Sequence, residues 1–313
     1  MLLESFYSAV NIVVPMIILI LLGFSMRKLN VIDRPAMKKF DGIIYRIFMP
    51  TLLFKNIYDI DFSRAVSYKV FIFAASCLAV IFIIALIIPP KITSDKSKAA
   101  SMAQGIVRGN YILFGVVVAE ALYGEGNIGT VILLGSFTIP AINILSAVLI
   151  EIHKSGRTSP VKLIRAVLKN PMIIATILAF IFVTLKIKIP APIFSVVKSL
   201  RNSTTTVSFI SLGVGLEMIM TEDLKPLIYA LILRVICIPV IFMTLSILFG
   251  FRGQVLCAFM VLFAAPVAVA SYPMAVAMGA DGKLAGQLVC ISTLLSIFTI
   301  FLWTFGLSSF GML

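Results

Sequence analysis

The amino-acid sequence predicts an all-α integral membrane protein, in which ten transmembrane helices form two inverted five-helix repeats. Composition predicts the membrane class, because 61% of the 313 residues are hydrophobic and the mean hydropathy is +1.13. Apolar runs of membrane-spanning length predict the helices. A similarity between the two halves of the chain predicts the repeat.

The charge content excludes an ordinary water-soluble domain. Charged residues make up 12% of the chain, whereas soluble globular domains average about 25%. The net charge of +13 would suggest nucleic-acid binding if the basic residues formed one patch. Lysines and arginines instead lie mostly between the apolar runs, where they flank membrane helices. We therefore expect lipid around the protein and no nucleic-acid partner.

Ten apolar runs have the length of a membrane span. About 20 mostly apolar residues cross a bilayer as a helix, and a helix satisfies its own backbone groups in lipid. The second, fourth and seventh runs are more polar than the others. In chain order, spans one to ten are predicted at residues 5–26, 38–58, 68–90, 99–123, 127–150, 167–187, 192–219, 225–250, 253–279 and 283–308.

The distribution of basic residues predicts the orientation of the chain. Loops that alternate along the sequence hold 15 lysines and arginines on one side of the membrane and 6 on the other. By the positive-inside rule, the side richer in lysine and arginine is cytoplasmic. We therefore expect a multi-pass protein of the cytoplasmic membrane, with both termini on the extracytoplasmic side.

The two halves of the chain resemble each other. Residues 15–24, PMIILILLGF, and residues 171–180, PMIIATILAF, are identical at six of ten positions, at an offset of 156. Residues 123–126, YGEG, resemble residues 278–282, MGADG, at an offset of 155. Because five spans is an odd number, the second repeat enters the membrane inverted, which is a transporter architecture. The predicted repeats are residues 1–155 and 156–313.

Spans four and nine contain helix breakers at equivalent places in the two repeats. Span four contains residues 108–111, RGNY, and span nine contains Pro266 and Pro273. A proline removes a backbone donor and clashes with the turn before it. Interrupted helices in corresponding positions point to a substrate site, and the freed amides of a helix N-terminus attract anions. The alternative is that Gly109 permits close packing and the prolines only kink span nine.

Several short motifs follow one another in a fixed order along the chain. They are Met49-Pro50-Thr51-Leu52-Leu53-Phe54 in span two, Gly109-Asn110 followed by Gly115 in span four, Lys169-Asn170-Pro171 and Ile189-Pro190 around span six, Ser211-Leu212-Gly213 in span seven and Ala265-Pro266-x-Ala268 in span nine. No single motif is specific. Together, over essentially the whole chain, their order and spacing resemble the auxin efflux carrier family of bacterial and plant transporters.

This resemblance implies a secondary transporter of small organic anions: mono- or dicarboxylates such as malate, malonate or lactate, or auxin-like acids. Broken spans four and nine would cross at mid-membrane. Spans one, two, six and seven would form a scaffold, and the other six a transport domain that moves like an elevator. The resemblance also makes a homodimer plausible. It implies that Asn110 binds the substrate carboxylate and that Val269 lines the site beside Pro266.

Ionisable side chains within the spans support an anionic substrate. Arg46, Arg108, Arg201 and Arg234 fall near mid-span, where a charge is costly and marks a functional candidate. The alternative for each is a structural pair that braces the helix bundle. Glu120 is the candidate for a coupling carboxylate, and the alternative is that it lies at the water boundary near the end of its span. The candidate substrate-binding residues are Arg108, Gly109, Asn110, Pro266, Val269 and Ser271.

Other function classes remain open at this point. A sodium-coupled bile-acid-type symporter or an anion channel would share the inverted design, and a symporter needs oxygen ligands such as those of Asn110 and Ser271. A membrane enzyme is disfavoured, because no HExxH or GxSxG motif occurs and the one histidine, His153, is expected in a solvated basic loop. Without a Walker A, CxxC or metal-type spacing, we expect no cofactor and no metal.

Overall fold

The computed structural model describes residues 2–59, 67–124, 127–155, 171–215 and 224–313. In these ranges the chain is helical and has no β-strand, apart from one isolated β-bridge. Each predicted span coincides with a described helical segment. In chain order the helices are Leu2–Lys28 in span one; Arg34–Ile43, Ile44–Phe48 and Met49–Tyr58 in span two; Tyr68–Ile87 and Pro89–Ile92 in span three; Lys96–Val107 and Tyr111–Tyr123 in span four; Gly129–Ser155 in span five; Pro171–Thr184 in span six; Ala191–Gly215 in span seven; Leu224–Leu231, Ile232–Cys237 and Ile238–Leu248 in span eight; Gly253–Ala264 and Ser271–Ala277 in span nine; and Gly282–Ser309 in span ten.

Four helical segments in the described ranges are long and apolar enough to cross a membrane. They are Tyr68–Ile92, Gly129–Lys154, Leu224–Leu248 and Gly282–Ser309. Shorter apolar helices occupy Tyr111–Tyr123, Pro171–Thr184 and Gly253–Ala264, and two of these are halves of interrupted spans. Helix length therefore agrees with the membrane class expected from composition. The arrangement of all ten segments as inverted membrane-spanning repeats stays a prediction.

The chain forms two compact units, and each unit draws on both halves of the sequence. The larger unit contains residues 1–13, 66–164 and 218–313, and the smaller unit contains residues 14–65 and 165–217. The smaller unit thus holds spans two, six and seven and most of span one. The larger unit holds spans three to five and eight to ten.

Glycines bring spans one and seven close together within the smaller unit. A Cβ built on Gly213 would overlap the carbonyl oxygen of Ile20 and lie 3.0 Å from the Cα of Gly23. A Cβ built on Gly23 would in turn overlap the carbonyl oxygen of Ile210. Small residues are what allow membrane helices to approach to backbone contact. The two glycines therefore determine how closely these spans pack.

Phenylalanine side chains form part of the interior of the larger unit. The ring of Phe259 lies 5.0 Å from that of Phe73, 4.9 Å from that of Phe251 and 6.0 Å from that of Phe263, measured between centroids. Aromatic pairs at these separations are worth about 0.5–1.5 kcal/mol beyond their buried area. The rings anchor the first half of span nine, which is buried at every position from Leu256 to Ala264.

His153 corrects one expectation. It lies inside the helix Gly129–Ser155 and is 9% exposed, and its Nε2 is 3.0 Å from the carbonyl oxygen of Ala85. The prediction of a solvated loop histidine was wrong, because the helix of span five continues five residues beyond its predicted end at residue 150.

Spans two and eight each contain one π-helical turn shortly before a proline. The turns are Ile44–Phe48 and Ile232–Cys237, and Pro50 and Pro239 follow them at the same distance. Proline cannot donate a hydrogen bond to the turn before it and crowds that turn, and a widened turn relieves the clash. Each turn carries an arginine at its third position, which is Arg46 in span two and Arg234 in span eight.

Helix boundaries recur along the chain at a constant offset. The described helices that begin at residues 34 and 191 form one pair, and segments 96–107 and 253–264, each of 12 residues, form another. In both pairs the second segment begins 157 residues after the first. This offset is close to the offsets of 155 and 156 between the similar sequence stretches. The repeat itself stays a prediction.

Candidate functional site

Spans four and nine are interrupted at the places that the sequence predicts. The helical conformation is lost at residues 108–110 in span four and at residues 265–270 in span nine. Gly109 and Pro266 lie in these interruptions. Proline lacks the amide proton that would continue the ladder of helical hydrogen bonds. The predicted breaks are therefore confirmed.

The two interruptions cross each other as a short antiparallel β-bridge, which pairs Gly109 with Val267. The main-chain bonds of the bridge run from Asn110 N to Pro266 O, 2.7 Å, and from Ala268 N to Arg108 O, 2.9 Å. A third bond runs from the Val267 amide to the Ser292 hydroxyl, 2.9 Å. Backbone groups that the helices release are thus satisfied at the crossing, as buried backbone groups must be.

Two polar side chains beside the crossing are buried. Asn110 is 5% exposed and Ser271 is 1% exposed. Within the described ranges, Asn110 Nδ2 and Ser271 Oγ have no hydrogen-bond partner, although an unsatisfied buried polar group costs about 1–3 kcal/mol. An exception of this kind needs an explanation, and a substrate that supplies the missing partners would provide it. Both residues are among those predicted to bind substrate.

The helix Tyr111–Tyr123 begins at the crossing. Asn110 is its N-cap residue, but no bond from its side chain caps the first turn in the described structure. The first amides of a helix have no partner within the helix, and they attract negatively charged groups. The main chain of Asn110 therefore holds the crossing together while its side-chain amide stays available beside a helix N-terminus.

Arg108 lies at the other side of the same break. It is the C-cap residue of the helix Lys96–Val107, and it is 2% exposed. Its Nη1 contacts the sulfur of Met274, in the second half of span nine. A thioether is a weak acceptor, so this contact leaves the positive charge of the arginine in place. The crossing therefore carries a buried cation next to Asn110.

The remaining predicted site residues divide into two groups. Pro266 is buried and Val269 is half-buried, and both lie in the interruption of span nine. Glu120 is half-buried and lies ten residues after Asn110, which is about 15 Å along a helix that rises 1.5 Å per residue. The structure therefore brings the predicted substrate-binding residues together and leaves the coupling candidate away from them.

Two of the mid-span arginines lie in the smaller unit. Arg46 is exposed. Arg201 Nε donates to Asn56 Oδ1 at 3.1 Å, and its Nη1 donates to Asn202 Oδ1 at 3.3 Å. Arg201 therefore has the structural role that was its alternative. Over the described part of the chain, no three histidine, cysteine or carboxylate side chains converge as a metal site would require.

Arg234 is a functional candidate whose position the sequence did not reveal. Its side chain is 1% exposed, and Nε and Nη2 donate to the carbonyl oxygen of Ala265 at 3.0 and 2.7 Å. The signal in the sequence was a charge in the middle of an apolar span. That signal marks the residue as unusual but does not say which neighbouring helix it contacts.

Comparison with protein families identifies the family of the chain. The family described as "Membrane transport protein" matches residues 8–304 of the chain. A comparison with curated proteins found no match. The matched region includes all ten predicted spans except the first few residues of span one and the last few of span ten.

Proposed function

Because the chain belongs to the membrane transport family that includes the auxin efflux carriers, we propose that it is a secondary transporter of small organic anions in the cytoplasmic membrane. The proposed substrates are mono- or dicarboxylates such as malate, malonate or lactate, or auxin-like acids. In this proposal the termini are extracytoplasmic, and the transporter works by an elevator-type alternation of access.

The observation that carries the proposal is the buried, unpartnered amide of Asn110 at the crossing of the two broken helices. Asn110 Nδ2 lacks a hydrogen-bond partner in the described ranges, and it is a donor that suits a carboxylate oxygen. The amides at the N-terminus of Tyr111–Tyr123 begin at the next residue, and such amides favour negative charge. A carboxylate placed here would satisfy both sets of donors.

Charge and shape around Asn110 also favour an organic anion. Arg108 and Arg234 are both buried in the larger unit, 2% and 1% exposed, and two fixed cations raise the affinity of a low-dielectric site for anions. The Ser271 hydroxyl offers a further donor. Pro266 and Val269 present apolar surface, which suits the carbon skeleton of an organic acid.

The division of the chain supports the elevator part of the proposal. The smaller unit consists of spans one, two, six and seven, without the first residues of span one. The crossing of spans four and nine lies entirely within the larger unit. In an elevator mechanism, the part that carries the substrate moves and the scaffold does not. We assign the larger unit the moving role.

Uptake into vesicles tests this proposal. The purified protein would be reconstituted into liposomes and supplied with labelled lactate, malonate, malate or indole-3-acetate, with and without a sodium gradient and a pH gradient. We expect saturable uptake of at least one carboxylate above that of protein-free liposomes. Uptake of labelled sugars or nucleotides without uptake of any carboxylate would show that the proposed substrate class is wrong.

Asn110→Ala is the matching site variant. Hydrogen bonds to charged groups are worth about 1.5–3 kcal/mol, so we expect the ratio Vmax/KM for the transported carboxylate to fall by at least about tenfold, while the protein still inserts. Asn127→Ala is the control, because Asn127 is exposed and its Nδ2 donates to the Tyr123 carbonyl at 3.0 Å. Equal uptake by the two variants would remove Asn110 from the site.

A sodium-coupled symporter is the second candidate function. The buried Ser271 Oγ, which has no partner in the ranges described, is an oxygen of the kind that hard cations prefer. The same vesicles separate the two candidates. Uptake that requires sodium favours the symporter, whereas uptake that persists in sodium-free buffer favours the anion carrier without sodium coupling.

A further inference from the structure

The guanidinium of Arg234 bonds to both broken helices. Besides its two bonds to the carbonyl of Ala265, its Nη2 donates to the carbonyl of Leu262 at 3.3 Å and its Nη1 to the carbonyl of Ile106 at 3.5 Å. Leu262 lies in the last turn of the helix Gly253–Ala264, which is the first half of span nine. Ala265 is the C-cap residue of this helix. Ile106 lies in the last turn of the first half of span four.

These carbonyls are the ones that the breaks deprive of their helical donors. In a continuous helix, Leu262 O would accept from the amide of residue 266, but that residue is proline and has no amide proton. Ile106 O would accept from the amide of Asn110, which instead donates to the carbonyl of Pro266 at 2.7 Å. Arg234 therefore supplies donors to carbonyls that both interruptions leave without their helical partners.

The charge of Arg234 matters as much as its hydrogen bonds. The C-terminal end of a helix carries about half a negative elementary charge, and two such ends meet at the crossing. Their sum would repel an anion, whereas one buried guanidinium offsets it. With Arg234 in place, the negative ends of the two half-helices no longer oppose the attraction of a carboxylate to the N-terminus of Tyr111–Tyr123.

We infer that Arg234 is the positioning residue of the anion site: it joins the C-terminal ends of both broken helices and cancels their negative charge. This inference rests on the proposed function, because it concerns the affinity of the crossing for an anion. Arg234 acts through the half-helices and through Asn110, whose main chain is part of the same crossing.

Gly109 is part of the same arrangement. A Cβ on Gly109 would overlap Nη2 of Arg234 and lie 2.9 Å from its Cζ. Gly109 is not among the glycines with positive φ, so its backbone conformation is open to alanine. The space beside Gly109 is therefore reserved for the guanidinium, and a methyl group there would push Nη2 away from the carbonyl of Ala265.

Variants of Arg234 test the inference by the kinetics of uptake. Labelled lactate and labelled malonate would be used in proteoliposomes, with rates divided by the amount of inserted protein. We expect Arg234→Lys, which keeps the charge and loses donors, to raise KM about tenfold with Vmax within about twofold of the wild type. We expect Arg234→Met to raise KM by about 100-fold or more, because the negative ends of both half-helices, about one elementary charge together, then face the anion without a compensating cation.

Arg252→Met is the matched control for these variants. Arg252 is exposed and also donates to main-chain carbonyls, those of Ile247 at 3.0 Å and Phe251 at 2.7 Å. We expect its KM to equal that of the wild type. A role of Arg234 in folding alone would reduce the amount of active protein and hence Vmax, with KM unchanged. That result, or a wild-type KM in Arg234→Met, would overturn the inference.

The variant Gly109→Ala provides a second test of the inference, which does not depend on whether Arg234→Met folds. We expect Gly109→Ala to raise KM about tenfold in the wild type but to add less than about twofold in Arg234→Lys, because lysine has no Nη2 atom to displace. Gly306→Ala is the control, since a Cβ there would meet no atom within 4 Å in the described structure. Independent, multiplying effects of the two substitutions would contradict the inference.

The same experiments separate this inference from the proposed function. If the wild type takes up none of the carboxylates, the proposed function fails, and the role of Arg234 in anion affinity fails with it. If the wild type takes up lactate or malonate and Arg234→Lys and Arg234→Met leave KM unchanged, only the inference fails.

Discussion

The hydroxyl of Ser292 completes the crossing of the broken helices. It accepts a hydrogen bond from the amide of Val267 at 2.9 Å and donates to the carbonyl of Val289 at 3.3 Å. Ser292 is 0% exposed, so no water replaces it. One side chain of span ten therefore satisfies a main-chain donor that the interruption of span nine releases.

Removal of this hydroxyl should destabilise the protein. Ser292→Ala leaves the buried amide of Val267 without its acceptor, which we expect to lower the free energy of unfolding by about 1–3 kcal/mol. Thermal unfolding in detergent measures the change. Ser296→Ala is the control, because Ser296 is equally buried in the same helix and its Oγ has no hydrogen-bond partner in the described ranges. Equal losses in the two variants would contradict the assigned bond.

At this scale the sequence predicted the polar break but not the groups that hold it together. Gly109, Asn110 and Pro266 were recognisable, because glycine, an amide and proline are unusual side by side with apolar helix residues. The partners of Arg234 and Ser292 were not recognisable. Their acceptors and donors are main-chain groups, which every residue carries, and only the crossing of two helices selects among them.

Spans one and seven illustrate how small residues determine the distance between two helices. At Gly23 and Gly213 the obstacle to a side chain is backbone of the opposite helix, either a carbonyl oxygen or a Cα atom. A flexible side chain could turn away from an added methyl group, but backbone cannot. The separation of the two helices is therefore coupled directly to the size of these two residues.

Alanine at either glycine should separate the helices. Overpacking of this kind costs about 1–3 kcal/mol, so we expect Gly213→Ala and Gly23→Ala each to lower the unfolding temperature in detergent. Gly42→Ala is the matched control in the smaller unit, since a Cβ there would meet no atom within 4 Å in the described structure. We expect it to be neutral or stabilising, because alanine favours a helix by about 0.5–1 kcal/mol over glycine. A loss in Gly42→Ala as large as in Gly213→Ala would show that backbone contact is not the cause.

The helical segments of the described ranges were predictable because apolar runs of membrane length are a strong signal. The π-helical turns at Ile44–Phe48 and Ile232–Cys237 were not. Both involve one extra residue within a turn, which hardly alters the apolar pattern. Pro50 and Pro239 were the available clue, but a proline alone does not distinguish a kink from a widened turn.

The topology predicted for the whole molecule rests on its basic residues and on the odd number of spans in each predicted repeat. Lysines and arginines are more numerous in one set of loops, 15 against 6, and this set is expected in the cytoplasm. Because three predicted spans separate them, the loop before span seven and the loop before span ten are expected on opposite sides of the membrane. Lys186 lies in the first of these loops, Lys283 lies in the first turn of the helix Gly282–Ser309 beside the second, and both are exposed.

Cysteine labelling tests this topology. In a background in which the four native cysteines are replaced by serine or alanine, we expect a membrane-impermeant maleimide to label Lys186→Cys in intact cells. We expect it to label Lys283→Cys only after the cells are permeabilised. Labelling of both variants in intact cells, or the reverse pattern, would rule out the predicted orientation.

The grouping of spans into two units shows what sequence periodicity cannot supply. The predicted repeat divides the chain near residue 155, whereas each compact unit takes segments from both sides of that point. In lipid, a side chain that faces a neighbouring helix and one that faces the bilayer are equally apolar, because there is little hydrophobic driving force between helices. The apolar pattern therefore locates spans without saying which of them pack together.

The buried guanidinium of Arg234 has a consequence for how the protein is made. Synthesis proceeds from the N-terminus, so Ile106 is already in place when Arg234 leaves the ribosome, whereas Leu262 and Ala265 do not yet exist. An arginine at the centre of a membrane helix costs about 2.5–3.5 kcal/mol during insertion, and the apolar residues around it in Leu224–Leu248 must offset that cost alone. In a nascent chain that stops short of residue 262, the guanidinium of Arg234 lacks its acceptors in span nine. Synthesis of that span supplies the carbonyls of Leu262 and Ala265 and completes the hydrogen bonds.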